Sequence, residues 1–177
     1  QHGGAIYINV NAQTENYKNI VFQDLIRGKI STPVEVIDDF VIVKSDGTPL
    51  FLFTNVVDDY EMGITYVIRG EDHISNTPRQ ILIAQALELN FPLYAHVPIV
   101  LTPDRTKMSK RQGATAISEF KDQGYLPQAL VNAMALLGWN PGDEREMFSL
   151  EALVKEFSLD RVQSAGAIFN IEKLENL

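Results

Sequence analysis

The residues best suited to chemistry are gathered in one loop, Thr102-Pro103-Asp104-Arg105-Thr106-Lys107-Met108-Ser109-Lys110-Arg111, with four cations and one acid in ten positions. Lys107 and Lys110, separated by Met108 and Ser109, can set two ammonium groups beside a polyphosphate while the Ser109 hydroxyl and backbone N–H groups donate to it. Charge developing on a departing pyrophosphate is stabilised in this way. From charge alone a solvated basic surface loop is the favoured reading. The context adds weight: residues 97–101 predict a strand just before the loop, and open α/β sheets bind ligands at the C-terminal ends of parallel strands. No Gly-rich phosphate loop of either common type is present.

Other residues carry a functional and a bland reading side by side. Arg69 follows an apolar stretch; its planar fork suits bidentate capture of a carboxylate, and also an ordinary structural ion pair. Asn55 fits a turn or cap. Asp72 and His73 invite a general acid–base role, but adjacent side chains in a loop do not reliably face each other. Asp58 and Asp59 are a carboxylate pair of the kind Mg²⁺ prefers, and a helix start explains them through the dipole; the structural reading is favoured. Trp139, the single Trp, is expected in the core or at a domain interface, being a poor stacking platform for RNA by itself.

These residues need elements to position them. Alternating β-branched patterns predict strands over residues 5–10 and 34–44, with a turn at 23–29 between them. Ser45-Asp46-Gly47-Thr48-Pro49 is a turn by residue chemistry. The nearly all-apolar stretch 50–57 predicts a strand buried on both faces, followed by a short helix at 58–63 with a Gly stop and a second strand at 64–68. Ser75 or Asn76 can cap a helix with Pro78 in its first turn, running to about residue 90. Strand, helix and the strand at 97–101 then form a βαβ crossover in a parallel sheet. Beyond residue 116 the β signal disappears, and segments 117–123, 126–137, 150–157 and 171–177 favour helices, with Ser149 capping the third.

At 177 residues, 45% apolar and 21% charged, the chain has globular composition and room for one domain or two small ones. No apolar run approaches the roughly 18 residues that span a bilayer, so a soluble protein with no membrane partner is expected. The absence of Cys removes disulfides, thiolate zinc sites and Cys nucleophiles and is compatible with the cytosol. His2, His73 and His96 are too far apart for local metal-ligand spacing, so no protein-bound zinc or other transition metal is expected. A net charge of −8 argues against a generally polyanion-binding surface; any RNA contacts should be local. The first residues have neither an initiator Met nor signal-peptide regions and read as a cut.

Lys107-Met108-Ser109-Lys110-Arg111, after a predicted strand and before a helical region, matches the second signature of class I aminoacyl-tRNA synthetases. Asn55-Val56-Val57-Asp58-Asp59, Met62-Gly63-Ile64-Thr65, Val67-Ile68-Arg69-Gly70-Glu71-Asp72-His73 and Asn76-Thr77-Pro78-Arg79-Gln80 resemble bacterial-type glutamyl-tRNA synthetases. So do residues 124–130 and Leu136-Leu137-Gly138-Trp139. The resemblance covers almost the whole chain and is strongest from Asp46 to Trp139.

It implies an α/β chain comprising the second half of a Rossmann-like class I catalytic domain followed by a small helical stem-contact domain. Residues 1–49 would end the acceptor-arm-binding insertion, 50–115 complete the nucleotide-binding sheet and carry the basic loop, and 116–177 form the stem-contact domain. The implied activity is ATP-dependent attachment of glutamate to tRNA(Glu) through glutamyl-adenylate, with Mg²⁺ entering with ATP, in a cytoplasmic monomer. Lys107 and Lys110 would act on transition-state phosphates, with Arg111 supporting the loop; Met108, Ser109, Lys110, Gly70, Asp72, His73 and Val100 would meet ATP. Arg69, Asn55 and Phe51 would meet glutamate, Phe51 replacing a Tyr common in the family and so losing a hydroxyl. The class's first, His-containing signature and the anticodon-binding helices are missing from these residues, so the chain alone is expected to be inactive. Glutaminyl-tRNA synthetase and a non-catalytic, synthetase-derived RNA-binding module are the alternatives.

Overall fold

The computed structural model describes residues 4–108 and 116–175. It forms two compact units, Gln1–His96 and Val97–Leu177.

The first unit is built on a four-stranded sheet of order β3-β2-β6-β5, with β2 at Asn19–Asp24, β3 at Gly28–Pro33, β5 at Tyr66–Gly70 and β6 at Leu93–Val97. β2 and β3 pair antiparallel as a hairpin from Asn19↔Pro33 to Asp24↔Gly28, and β2 pairs in parallel with β6 at Asp24↔Tyr94. The hairpin was not foreseen, although its turn was. Three loop residues close it: Asp24 Oδ1 accepts from the Ile26 and Arg27 N–H groups at 3.0 and 2.9 Å, and Gly28 takes φ +74°, a left-handed conformation that Gly adopts without Cβ strain. A small antiparallel ribbon joins β1 (Ile6–Ile8) to β4 (Phe40–Val43), and the short helix α1, Val10–Gln13, follows β1. The long strand expected over 34–44 is broken, because residues Val34–Val36 form a 3-10 turn after Pro33 and Asp39 turns aside to accept from Val10 N–H at 2.8 Å.

The expected strand at 50–57 is instead the start of helix α2, Phe51–Glu61. An apolar run cannot choose between strand and helix by periodicity. Here Pro49 bridges Val43, closing off β4, and Leu50 is the extended N-cap from which the helix begins. Val56 is buried, Leu52 and Phe53 pack on the same core, and Gly63 at φ +65° follows the helix end. Asp58 and Asp59 are therefore in the last turns of a helix and not at its start, so the dipole does not account for them.

Helix α3, Thr77–Ala86, has Pro in its first turn and lies in sequence between β5 and β6, which are neighbours in the sheet. Ile81, Leu82, Ile83 and Ala84 are at most 2% exposed and form the centre of the core with Ile20, Phe22 and Tyr94. Asn76 occupies the N-cap position, but its side chain makes no capping bond.

The strand expected at 97–101 splits. β6 ends at Val97, Pro98 intervenes without an N–H to continue a ladder, and β7, Val100–Leu101, pairs in parallel with β8, Ala167–Ile168, in the second unit. The remainder is helical as expected: α4 Ile117–Asp122, α5 Pro127–Ala135, α6 Leu150–Glu156 and α7 Ile171–Glu175. β8 is the exception to the predicted loss of β structure. Phe120, Leu130 and Leu174 are the buried centre of this unit, and Trp139, 3% exposed, packs against Phe148 and Phe157 with ring centroids 5.8 and 5.5 Å away.

Candidate active site

In the first unit the sequence-predicted residues converge where β5 ends. Arg69 is the penultimate residue of β5, and its guanidinium is engaged on two of three nitrogens. Nε donates to His96 Nε2 at 3.1 Å, while Nη2 donates to Thr77 Oγ1 at 2.8 Å and Gln80 Oε1 at 2.7 Å. Among the described residues no hydrogen bond reaches Nη1. A fork with Nε and Nη2 so engaged offers a ligand carboxylate the two N–H groups of Nη1, which is less than the full bidentate edge the sequence reading considered. The Gln80 amide also donates to Asn55 Oδ1, so Gln80 ties Arg69 on β5 to Asn55 on α2. The Arg69 guanidinium carbon lies 5.4 Å from the Tyr94 ring centroid, a cation–π distance. Burial lowers the Arg69 pKa, opposed by Tyr94 and Asp59, and the group stays cationic. Burial raises the Asp59 carboxyl and Asp58 adds to this, while Arg69 opposes it.

Gly70 ends the strand, and a 3-10 turn, Glu71–Asn76, carries the next candidates. A Cβ on Gly70 would meet Asp72 Oδ1 at 2.5 Å, so a larger residue here would make the Asp72 carboxylate turn aside. His73 Nδ1 is 3.0 Å from Asn76 Nδ2, so the two side chains of the turn hold each other in place. Phe51, 56% exposed at the start of α2, sets its ring 6.1 Å from that of His73. The turn is pinned to the β2–β3 hairpin by Arg27, whose Nη2 pairs with Glu71 Oε2 at 2.5 Å and whose Nε donates to His96 O at 3.1 Å.

Four members of this cluster escaped the sequence reading as site residues: Asp24, Thr77, Gln80 and His96, each at most 1% exposed. One signal was available. In β2 the buried positions are Ile20, Phe22 and Asp24, and a carboxylate on an apolar face needs buried partners.

In the second unit the basic loop leaves β7 and doubles back. Thr102 N–H donates to Thr106 O at 2.9 Å, Arg105 takes φ +63°, and Asp104 accepts from the Thr102 and Thr106 hydroxyls, which hold its carboxyl below the usual range. Lys107, exposed, bridges Leu101, and Met108 N–H donates to Val100 O at 3.0 Å. Val100 and Met108, both expected to meet ATP, thus share a backbone hydrogen bond. Ser109, Lys110 and Arg111 lie outside the described residues. A cavity of about 620 Å³ in this unit, lined by Trp139, Arg145 and Gln163 among others, includes none of the predicted site residues. Trp139 Nε1 is buried without a hydrogen-bond partner among the described residues. No group of three or more His, Asp or Glu that could hold a metal is found among the described residues, and no described helix is long and apolar enough to cross a membrane.

A family model for class I tRNA synthetases (E and Q), catalytic domain, matches residues 2–176. The chain belongs to this family. Among curated class I synthetases it is 55% identical over 157 residues to a glutamate–tRNA ligase of Carboxydothermus hydrogenoformans, covering 89% of this chain and 33% of that protein. With glutamate–tRNA ligase 1 of Caldanaerobacter subterraneus it shares 52% identity over 165 residues, 93% of this chain and 34% of that protein. A solved glutamate tRNA ligase of Elizabethkingia meningosepticum, in complex with its amino acid, superposes with a TM-score of 0.82 at 38% identity, over 89% of this chain and 35% of that one. The chain thus spans about a third of the length of the synthetases it matches.

Proposed function

We propose that the chain is the part of an ATP-dependent glutamate–tRNA ligase that holds glutamate and faces the nucleotide phosphates. The observation that carries this reading is Arg69: a cation braced through Nε and Nη2, tied by Gln80 to Asn55, and left with Nη1 for a carboxylate. Phe51 and His73 lie side by side at the same strand end, which suits substrates that meet there, with Gly70, Asp72 and His73 toward the adenosine. Residues 1–49 would end the acceptor-arm insertion, 50–115 complete the catalytic domain and 116–177 contact the tRNA stem. The ligase would act as a cytoplasmic monomer on tRNA(Glu).

In the reaction, a glutamate α-carboxylate oxygen attacks the α-phosphorus of ATP, forming the acyl-phosphate bond as the α–β bridging P–O bond breaks and pyrophosphate leaves. A hydroxyl of the tRNA terminal ribose then attacks the acyl carbon, loses its proton and displaces AMP. Positioning and charge neutralisation dominate such chemistry. Lys107 and Lys110 neutralise the departing pyrophosphate, Ser109 donates to the phosphates and Arg111 supports the loop. Mg²⁺ would enter with the ATP phosphates, and no step is assigned to it.

Glutamate-dependent ATP–pyrophosphate exchange by the full-length protein tests this. Lys107→Ala should lower kcat about 100-fold or more, as removal of one transition-state donor does elsewhere, with the KM for glutamate little changed. An unchanged kcat would remove Lys107 from the reaction. Exchange with glutamine but not glutamate would favour the other amino acid covered by the family.

A further inference from the structure

Arg69 is oriented by a pair of buried side chains that begins on another strand. Asp24 and His96 are 1% and 0% exposed. β2 and β6 pair in parallel beside them, and Asp24 accepts from the backbone N–H of Ile26, Arg27 and His96. The carboxylate is thus fixed by the backbone before it meets the imidazole, whose Nδ1 lies 2.6 Å from Asp24 Oδ2. A carboxylate at Nδ1 requires a proton there, which leaves Nε2 as a lone pair. That lone pair faces Arg69 Nε–H at 3.1 Å, and a guanidinium nitrogen can only donate. Both neighbours therefore demand the same tautomer; a proton on Nε2 would set two donors against each other.

We propose that Asp24 and His96 are positioning residues for amino-acid binding: the Asp24 carboxylate fixes the His96 tautomer, and His96 Nε2 fixes the rotation of the Arg69 guanidinium so that Nη1 remains for the substrate carboxylate. This rests on the reading of Arg69 as a glutamate contact. Packing alone gives no reason for the pair, because β2 fills the same face with Ile20 and Phe22, and well-packed apolar residues are commonly as stabilising as a buried ionic pair. Orientation does give a reason. Arg side chains lose several rotamers on binding, and a guanidinium already held by Nε presents its remaining N–H groups without that cost. Burial keeps His96 neutral and the hydrogen bonds to Asp24 outweigh burial to keep it anionic, the two states this arrangement uses.

The test is pyrophosphate exchange by the full-length protein with glutamate and ATP varied separately, alongside thermal unfolding. Asp24→Asn keeps the shape but can donate to Nδ1, driving the proton to Nε2 against Arg69. It should raise the KM for glutamate about tenfold or more while the KM for ATP stays within about twofold. His96→Ala should do the same, and His96→Gln, whose amide oxygen can accept from Arg69 Nε–H, should recover much of the loss. Folded Asp24→Asn and His96→Ala proteins with an unchanged KM for glutamate would overturn the proposal. So would equal rises in both KM values that follow the loss of Tm and are not rescued by Gln. Failure of the underlying reading is distinguishable: there, Arg69→Lys itself leaves the KM for glutamate unchanged.

Discussion

His96 is held at a distance from its neighbours that permits one protonation state. Protonating it would place a second cation 3.1 Å from Arg69 Nε and replace the acceptor that Arg69 needs with a donor. Burial pushes its pKa below the ordinary 6.5; Asp24 opposes this, and Arg69 and Arg27 reinforce it. The unfolded chain therefore takes up a proton at higher pH than the folded one. The stability His96 contributes is fully present above about pH 6.5 and is lost as pH falls toward the lower folded value. Asp24, held below 3.8, loses its contribution only under stronger acid, in the same direction. In urea unfolding of the isolated chain between pH 7.5 and about 5, stability should fall with a slope of up to about 1.4 kcal/mol per pH unit from this one proton. His96→Gln should flatten that slope. A slope unchanged by the substitution would assign it to other groups.

Among the elements, α6 shows how a local signal persists. Ser149 was expected to cap it from residue type alone, and its hydroxyl accepts from Ala152 N–H at 3.2 Å. Ser149→Ala should lower unfolding free energy by about 1 kcal/mol, and Ser149→Asp should preserve it, as read from denaturant midpoints. Equal stability of the Ala variant would show the end of α6 to be held by other contacts. α2 behaves differently. Its N-cap makes no side-chain hydrogen bond, and its apolar residues read as a strand until the core decides that Leu52, Phe53 and Val56 share one face. The same contrast appears at residue 76, where cap chemistry correctly located the start of α3 but the Asn76 side chain serves His73.

At the scale of the whole molecule, the candidate residues are distributed over both compact units: Phe51, Asn55, Arg69, Gly70, Asp72 and His73 in the first, Val100, Lys107 and Met108 in the second. Because the chain spans about a third of its relatives, the isolated 177-residue chain should show negligible glutamate-dependent pyrophosphate exchange and weak ATP binding. Turnover near that of the full-length protein would refute this and locate the whole site in these residues.

Residue types and their spacing determined what is local here: the Pro-led start of α3, the helices beyond residue 116 and the Ser149 cap. Each depends on groups a few positions apart, whose hydrogen bonds and torsions hold in almost any surroundings. Tertiary structure decided the rest: the β2–β3 hairpin, the helical state of residues 51–61, the break at Pro98 and the chain Asp24–His96–Arg69–Gln80–Asn55. Asp24 and His96 are 72 positions apart, and only strand pairing in three dimensions brings a buried carboxylate to an imidazole and then to the guanidinium it orients. Desolvation makes that pairing obligatory once the strands meet, because neither Asp24 nor His96 could remain buried without its partner.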